Sequence, residues 1–276
     1  MVRMEDLDPV VSHRNLADRQ LHDLAALGLD WDGPVVFQSD RTDHYDEAVE
    51  ALKKLGLTYP CFCTRREIRE AAAAPNGPSV PDGAYLGTCR ELSQHAQQRL
   101  LDAGRRPALR VRADATVVGF VDRMCGTAEA VVDDLVLVRN DGVFAYNLAV
   151  VVDDAAQSVQ QVVRADDLLL STPRQMWLAR QLGLPALSYA HVPLVLGPDG
   201  DRLAKRHGAV SLDDLLEQGW TPADVLQLLA QHLGLAEPED IVTAASLVSR
   251  FSFGRLPVVP WQLTAADLAS FDRSSA

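Results

Sequence analysis

An α/β fold is what this sequence predicts, and three observations predict it. Leucine-spaced helical segments end at glycines, short extended β-branched runs separate them, and 47% hydrophobic content over 276 residues supplies a sizeable core. A first helix is expected from about Asn15 to Leu27, with Leu16, Leu21, Leu24 and Leu27 on one face and Gly28 ending it. A second is expected from Asp43 to Leu55, capped by Thr42 and closed by Gly56, with Tyr45, Val49, Leu52 and Leu55 apolar.

Composition narrows the class. No apolar run reaches about 18 residues and the amino terminus MVRMEDLDP is charged, so neither a membrane span nor a secretory signal is visible and the cytoplasm is the default. A net charge of −12 speaks against a surface that coats polyanions indiscriminately. Specific nucleic-acid binding needs only a local basic strip, for which Arg65, Arg66, Arg69, Arg105, Arg106, Arg110 and Arg112 are available.

The character changes between residues 57 and 92. Tyr59-Pro60 leads into Cys61-Phe62-Cys63, a helical piece follows from Thr64, a Pro- and Gly-rich loop spans 75 to 83, and Tyr85-Leu86-Gly87-Thr88-Cys89 returns. Thiolates one residue apart, with a third on a distant turn, suit a tetrahedral zinc ion better than a disulfide framework. A fourth donor is then required, and Tyr85 and Cys125 are the candidates; three buried cysteines without a metal are the plainer alternative.

Extended stretches follow at 108 to 113, 117 to 122 and 134 to 139, the last turning at Asn140-Asp141-Gly142 into an extended return over 143 to 152. A helix is expected from Pro173 to Gly183 with Thr172 as N-cap. Then comes His191 to Ala209, HVPLVLGPDGDRLAKRHGA, in which a Gly-Pro-Asp-Gly turn presents Arg202, Lys205 and Arg206 on a loop suited to a polyphosphate. Taken alone, that basic turn reads as a solvated surface. Ser211 caps a short acidic helix, Thr221-Pro222 starts another bearing Val225, Leu228, Leu229 and Leu233, and a polar tail begins near Asp272.

The order of these residues carries a resemblance. Arg202-Leu203-Ala204-Lys205-Arg206 resembles the KMSKS loop of class I aminoacyl-tRNA synthetases, with flanks HVPLVL and HGA like those of the glutamyl branch. CFCTRREI followed by YLGTCREL resembles the zinc-binding insertion of glutamyl-Q tRNA(Asp) synthetases. The resemblance implies a Rossmann-like class I catalytic core with a zinc-binding insertion and a helical carboxy-terminal part. It implies a single structural zinc ion on Cys61, Cys63, Tyr85 and Cys89. It also implies glutamate held by Glu5 at its ammonium, Arg164 at its side-chain carboxylate and Tyr146 along the pocket. Lys205 and Arg202 would meet the phosphates of ATP, which arrives with Mg2+, and the acceptor would be queuosine in the anticodon of tRNA(Asp). No protein partner is implied.

The same resemblance suggests a division into 1–56, the remainder of the first Rossmann half; 57–132, the zinc-containing, acceptor-binding insertion; 133–210, the second half with the lysine loop; and 211–276, a helical stem-contact region with its tail. The strand-loop-helix unit bearing the HxGH-type motif is not found, so the first βα unit is expected to be missing, and the chain has no room for an anticodon-binding domain. His232-Leu233-Gly234-Leu235 mimics the motif only superficially, since it follows the lysine loop and Gly234 reads as a helix end. Two departures stand out: Val150 replaces an asparagine usual in full-length glutamyl enzymes, and Ala165 replaces a glycine after the arginine. The competing readings are a fragment of a standard glutamyl-tRNA synthetase and a non-catalytic tRNA or amino-acid binder.

Overall fold

Two βαβ units frame the protein, seen here in a computed structural model that describes residues 1–10, 12–72, 85–203 and 211–270. In the first, β1 (Arg3–Met4) leads through α1 (Arg14–Ala26) to β2 (Val36–Phe37), and the two strands pair in parallel, Arg3 opposite Val36. After α2 (Thr42–Lys54) come β3 (Thr58–Cys61), α3 (Arg65–Ala72), α4 (Gln94–Asp102) and β4 (Ala108–Val111). The hairpin β5 (Val117–Asp122) and β6 (Gly126–Val131) precedes β7 (Val136–Val138) and α5 (Tyr146–Ala156). The second unit is β8 (Gln161–Ala165), a 3-10 turn, α6 (Thr172–Gln181) and β9 (Ser188–Val192), with β8 and β9 again parallel. Parallel neighbours need such a crossover, and a helix that covers the sheet supplies it.

The chain then runs through β10 (Val195–Leu196), α7 (Leu212–Glu217), α8 (Pro222–His232), α9 (Ala244–Val248), β11 (Trp261–Gln262) and α10 (Ala265–Ser270). Strand β10 pairs in parallel with β11. Capping boxes open α7 and α8, where Ser211 and Thr221 accept from the Asp214 and Asp224 amides while each aspartate reaches back to the cap. The larger sheets are an antiparallel β3-β4-β7 and a mixed β6-β5-β9-β8. Between them lies the main core, built from Tyr45, Val49 and Leu52 of α2, Leu148 and Val151 of α5, and Trp177 and Leu178 of α6 against Val111, Val118 and Leu137 of the strands. No helix among the described residues is long and apolar enough to cross a membrane.

The structure corrects four local expectations. The return over 143 to 152 is not extended: the Asp-Gly turn forms, with Gly142 at φ +90°, but after the single Val138–Phe144 bridge the chain enters α5. Leu148, Ala149, Val150, Val151, Asp153 and Asp154 are all buried there, so the segment shows no amphipathic period and reads equally as a buried strand. Strand β6 was not anticipated, because GTAEAV has weak β character and is held by its register with β5. Thr42 and Thr172 are first helical residues rather than caps; Arg41 and Ser171 occupy the cap positions without a side-chain capping hydrogen bond. The Pro- and Gly-rich 75–83 loop, Lys205, Arg206 and the tail from Asp272 lie outside the described residues.

Candidate active site

Strand β1, the first turn of α5 and strand β8 open onto one cleft of about 550 Å3, lined among others by Arg3, Glu5, Tyr146, Asp154, Gln157 and Arg164. Met4 of β1 is buried in the protein, while Arg3 before it and Glu5 just past the strand end both line the cleft. Tyr146 stands at the start of α5, 43% exposed, where the helix mouth meets the cleft. Desolvation and the Glu5 carboxylate push its hydroxyl above the ordinary tyrosine range, while the Arg164 guanidinium opposes them. The cleft therefore carries an exposed carboxylate on one wall and a guanidinium on another, the charges an α-amino dicarboxylate would complement.

Arg164 is held on every side. Its Nε donates to His191 Nε2 at 3.0 Å, Nη1 to Gln175 Oε1 at 2.8 Å, and Nη2 to Thr172 Oγ1 at 2.7 Å and the Leu168 carbonyl at 3.3 Å. Thr172, freed from capping α6, serves as one of these acceptors. Gln175 is itself oriented by donating Nε2 to Asn147 Oδ1 at 3.0 Å. Four of the five guanidinium N–H groups are engaged by these partners, which leaves one N–H on Nη1 for a ligand or for the Tyr146 hydroxyl, which also senses this guanidinium. A bidentate grip on a carboxylate is thus not offered by the arginine as it stands.

Beneath the cleft, Asp153 is fully buried and accepts from Gln38 Nε2 at 2.9 Å, Arg41 Nε at 2.7 Å and Tyr45 Oη at 2.8 Å. Burial, followed by that hydrogen bond to the carboxylate, pushes the Tyr45 hydroxyl well up. Arg3 joins the same layer, 2.8 Å from Asp154 and 3.3 Å from Glu5, and donates to Gln157 Oε1 at 2.7 Å. Gln157 also lines the cleft, and its Nε2, buried from solvent, finds no partner among the described residues.

A second site lies at the end of β3. The sulphurs of Cys61, Cys63 and Cys89 all fall within 4.8 Å of one another, with Cys63 and Cys89 at 3.5 Å. Tyr85 Oη stands 3.4 Å from Cys61 Sγ and accepts the Cys89 amide at 2.8 Å. Burial, the Cys89 thiol and the neighbouring Cys61 push Cys63 up to about 12, which marks a place where negative charge is crowded. Cys125 sits elsewhere, on the β5–β6 turn with its thiol 3.6 Å from the His191 carbonyl. Tyr85 therefore adjoins the cluster and Cys125 does not. The donor set fits a thiophilic divalent ion.

Comparison with known proteins fixes the lineage. Residues 1–269 match the family model for the catalytic domain of class I tRNA synthetases, E and Q type. The glutamyl-Q tRNA(Asp) synthetase of Nocardia farcinica is 54% identical over 264 residues, covering 96% of this chain and 82% of that protein. This chain belongs to the glutamyl-Q tRNA(Asp) synthetase family. Its relative from Symbiobacterium thermophilum is 39% identical over all of this chain and 89% of its own. Among solved structures, a glutamate tRNA ligase from Elizabethkingia meningosepticum superposes with a TM-score of 0.78 at 23% identity, over 98% of this chain and 61% of that one, which shows the shared α/β fold.

In this chain, the structure brings Glu5, Tyr146 and Arg164 onto one cleft and Cys61, Cys63, Tyr85 and Cys89 into one cluster. Arg202 is not among the cleft-lining residues; it is exposed, bridges β10 at Leu196 and pairs with Asp167 at 3.0 Å. Lys205 lies outside the described residues. The basic strip is partly spent on the fold: Arg110 is 7% exposed and donates to the Asp134 carbonyl, Arg105 pairs with Glu67, and Arg112 with Glu91. Arg65, Arg66 and Arg69 on α3 keep their exposure.

Sequence reasoning missed Arg3, His191, Asp122 and Gln175. Arg3 was signalled, since it precedes Glu5 by one strand period. His191 and Asp122 were not, because only the strand register brings residues so far apart in the chain together. Their contact is close: His191 Nδ1 lies 2.6 Å from Asp122 Oδ2, and both are buried. Burial alone would raise Asp122, but N–H groups of Cys125 and His191 together hold its carboxyl below the usual range.

Proposed function

We infer that this chain activates glutamate as glutamyl-adenylate at the expense of ATP and transfers the glutamyl group to queuosine in the anticodon of tRNA(Asp). The observation that carries this reading is the opposed pair of Glu5 and Arg164 across one cleft floored by Tyr146, in a chain 54% identical to a protein of that name. Glu5 receives the substrate's ammonium group. The remaining N–H of Arg164 and the nearby Tyr146 hydroxyl take its side-chain carboxylate.

Held this way, glutamate's α-carboxylate attacks the α-phosphorus of ATP. The new P–O bond forms as the bond to the bridging oxygen breaks, and pyrophosphate leaves with its Mg2+. A carboxylate nucleophile needs no general base, so catalysis reduces to placement and charge stabilisation. Lys205, with Arg202, is assigned to the phosphates by its match to the synthetase loop. In the second step a hydroxyl of queuosine attacks the acyl carbon and AMP departs, taking the bond electrons on its phosphate oxygen, while the hydroxyl proton passes to that phosphate or to water.

Cys61, Cys63, Cys89 and Tyr85 would hold a structural zinc, which ties the end of β3 to the 85–89 turn and neutralises the charge crowded there. The test is glutamate-dependent ATP–pyrophosphate exchange, followed by transfer of labelled glutamate to tRNA(Asp) with and without queuosine. Lys205→Ala should abolish exchange and leave zinc content intact. Equal exchange in that variant, or labelling of the tRNA 3′ end in place of the anticodon, would overturn the assignment.

A further inference from the structure

Arg164 and His191 are direct neighbours in the β8–β9 register, so their side chains stand side by side on one face of the mixed sheet. A guanidinium Nε–H can only donate, so His191 Nε2, 3.0 Å away, must accept; the ring proton is then on Nδ1, aimed at Asp122 Oδ2 at 2.6 Å. The other oxygen, Asp122 Oδ1, accepts the amides of Met124 and Cys125 at 2.9 Å and of His191 at 3.1 Å, so the carboxylate cannot turn. Tyr189 stacks on the imidazole with an interplanar angle of 13° and Phe120 meets it edge-on, which fixes the ring plane. Nothing in this chain of contacts touches the cleft except Arg164.

We propose that Asp122 and His191 are positioning residues for glutamate recognition: the carboxylate selects one histidine tautomer, and that tautomer clamps the Arg164 guanidinium with its remaining N–H directed at the substrate's side-chain carboxylate. This deepens the reading of Arg164 as the carboxylate anchor and rests on it. A clamped guanidinium meets the ligand without losing rotamer freedom, so the pair acts on substrate affinity rather than on the phosphoryl step.

The geometry singles out Asp122→Asn as the sharpest perturbation. The amide oxygen keeps the three backbone hydrogen bonds, while the NH2 faces His191 Nδ1 and drives its proton to Nε2, where it opposes the Arg164 Nε–H. His191→Leu removes the acceptor altogether, and His191→Gln restores one near the Nε2 position. The experiment uses the full chain with two readouts: nitrogen-15 NMR of the His191 ring and the Arg164 Nε–H, and steady-state exchange kinetics in glutamate and ATP.

The wild type should show a slowly exchanging Arg164 Nε–H, lost in His191→Leu and Asp122→Asn and kept in His191→Gln, with the ring tautomer reversed in Asp122→Asn. KM for glutamate should rise roughly tenfold or more in the first two variants, with kcat and KM for ATP within about threefold of wild type. A protected Arg164 signal in His191→Leu overturns the proposal. So does a loss of kcat with no change in KM for glutamate, with Gln no better than Leu. If the wild type shows no glutamate-dependent exchange, the functional reading fails, and the NMR arm still decides whether the clamp exists.

Discussion

Replacing Asp153 with alanine should destabilise the protein by about 3–5 kcal/mol, the range for breaking a buried charge pair by removing one partner. The carboxylate has no solvent exposure and is the shared acceptor of Gln38, Arg41 and Tyr45, at 2.7 to 2.9 Å. Without it, Gln38 and Tyr45, themselves 2% and 0% exposed, keep buried donors with no acceptor, at roughly 1–3 kcal/mol each. Arg41 adds less, because its side chain retains 18% exposure and can turn towards water. Asp153→Asn keeps one acceptor oxygen but turns an NH2 against other donors, so a loss of about 2 kcal/mol is expected. Urea unfolding monitored by tryptophan fluorescence measures both, read as a shift in midpoint at constant slope. A loss under about 1 kcal/mol for the alanine variant would show that the network is not a buried anchor between α2 and α5.

Arg164→Lys keeps a positive charge but cannot satisfy His191, Gln175 and Thr172 together; KM for glutamate should rise roughly 100-fold in exchange kinetics, and an unchanged KM would remove Arg164 from the substrate site. Stripping the metal with a chelator, or substituting Cys63→Ser, should empty the thiol cluster of zinc and lower the melting temperature; a metal-free preparation with an unaltered melting curve contradicts a structural zinc. Glu67 is held down at about 2 by the Arg105 guanidinium and the Thr64 amide. Its depressed value means the stabilisation is fully present above the ordinary glutamate range near 4.5 and is lost as pH falls through about 2. Carboxyl NMR titration should show this, and Arg105→Gln should return the midpoint towards 4.5.

Local rules made the helices legible. Gly28, Gly56 and Gly183 each take positive φ just beyond a helix, and Gly234 does the same after α8, which disposes of the HLGL segment as a nucleotide motif. The cysteine cluster was readable because its members are close in sequence or recur around a marked turn. What failed was anything decided by burial or register. Segment 146–156 is apolar on nearly all sides, so its period carries no information, and its true state follows from packing between α2 and α6. Thr172 carries the side chain and following proline of a helix cap, yet its hydroxyl is taken by Arg164 and His191. The Asp122–His191 contact joins residues that only the alignment of β5, β9 and β8 brings together.

One short salt bridge has mechanical implications. Asp167 lies one turn beyond Arg164, and it grips Arg202, the first cation of the lysine loop, while β9 runs from His191 straight towards that loop through β10. The strand end that carries Arg164 and the stem that leads to Arg202 are thus tied to the same few residues of backbone. Lengthening either connection by one residue would slip both ends at once, so the spacing between Arg164 and Asp167 should tolerate insertion far less than the exposed turns around it.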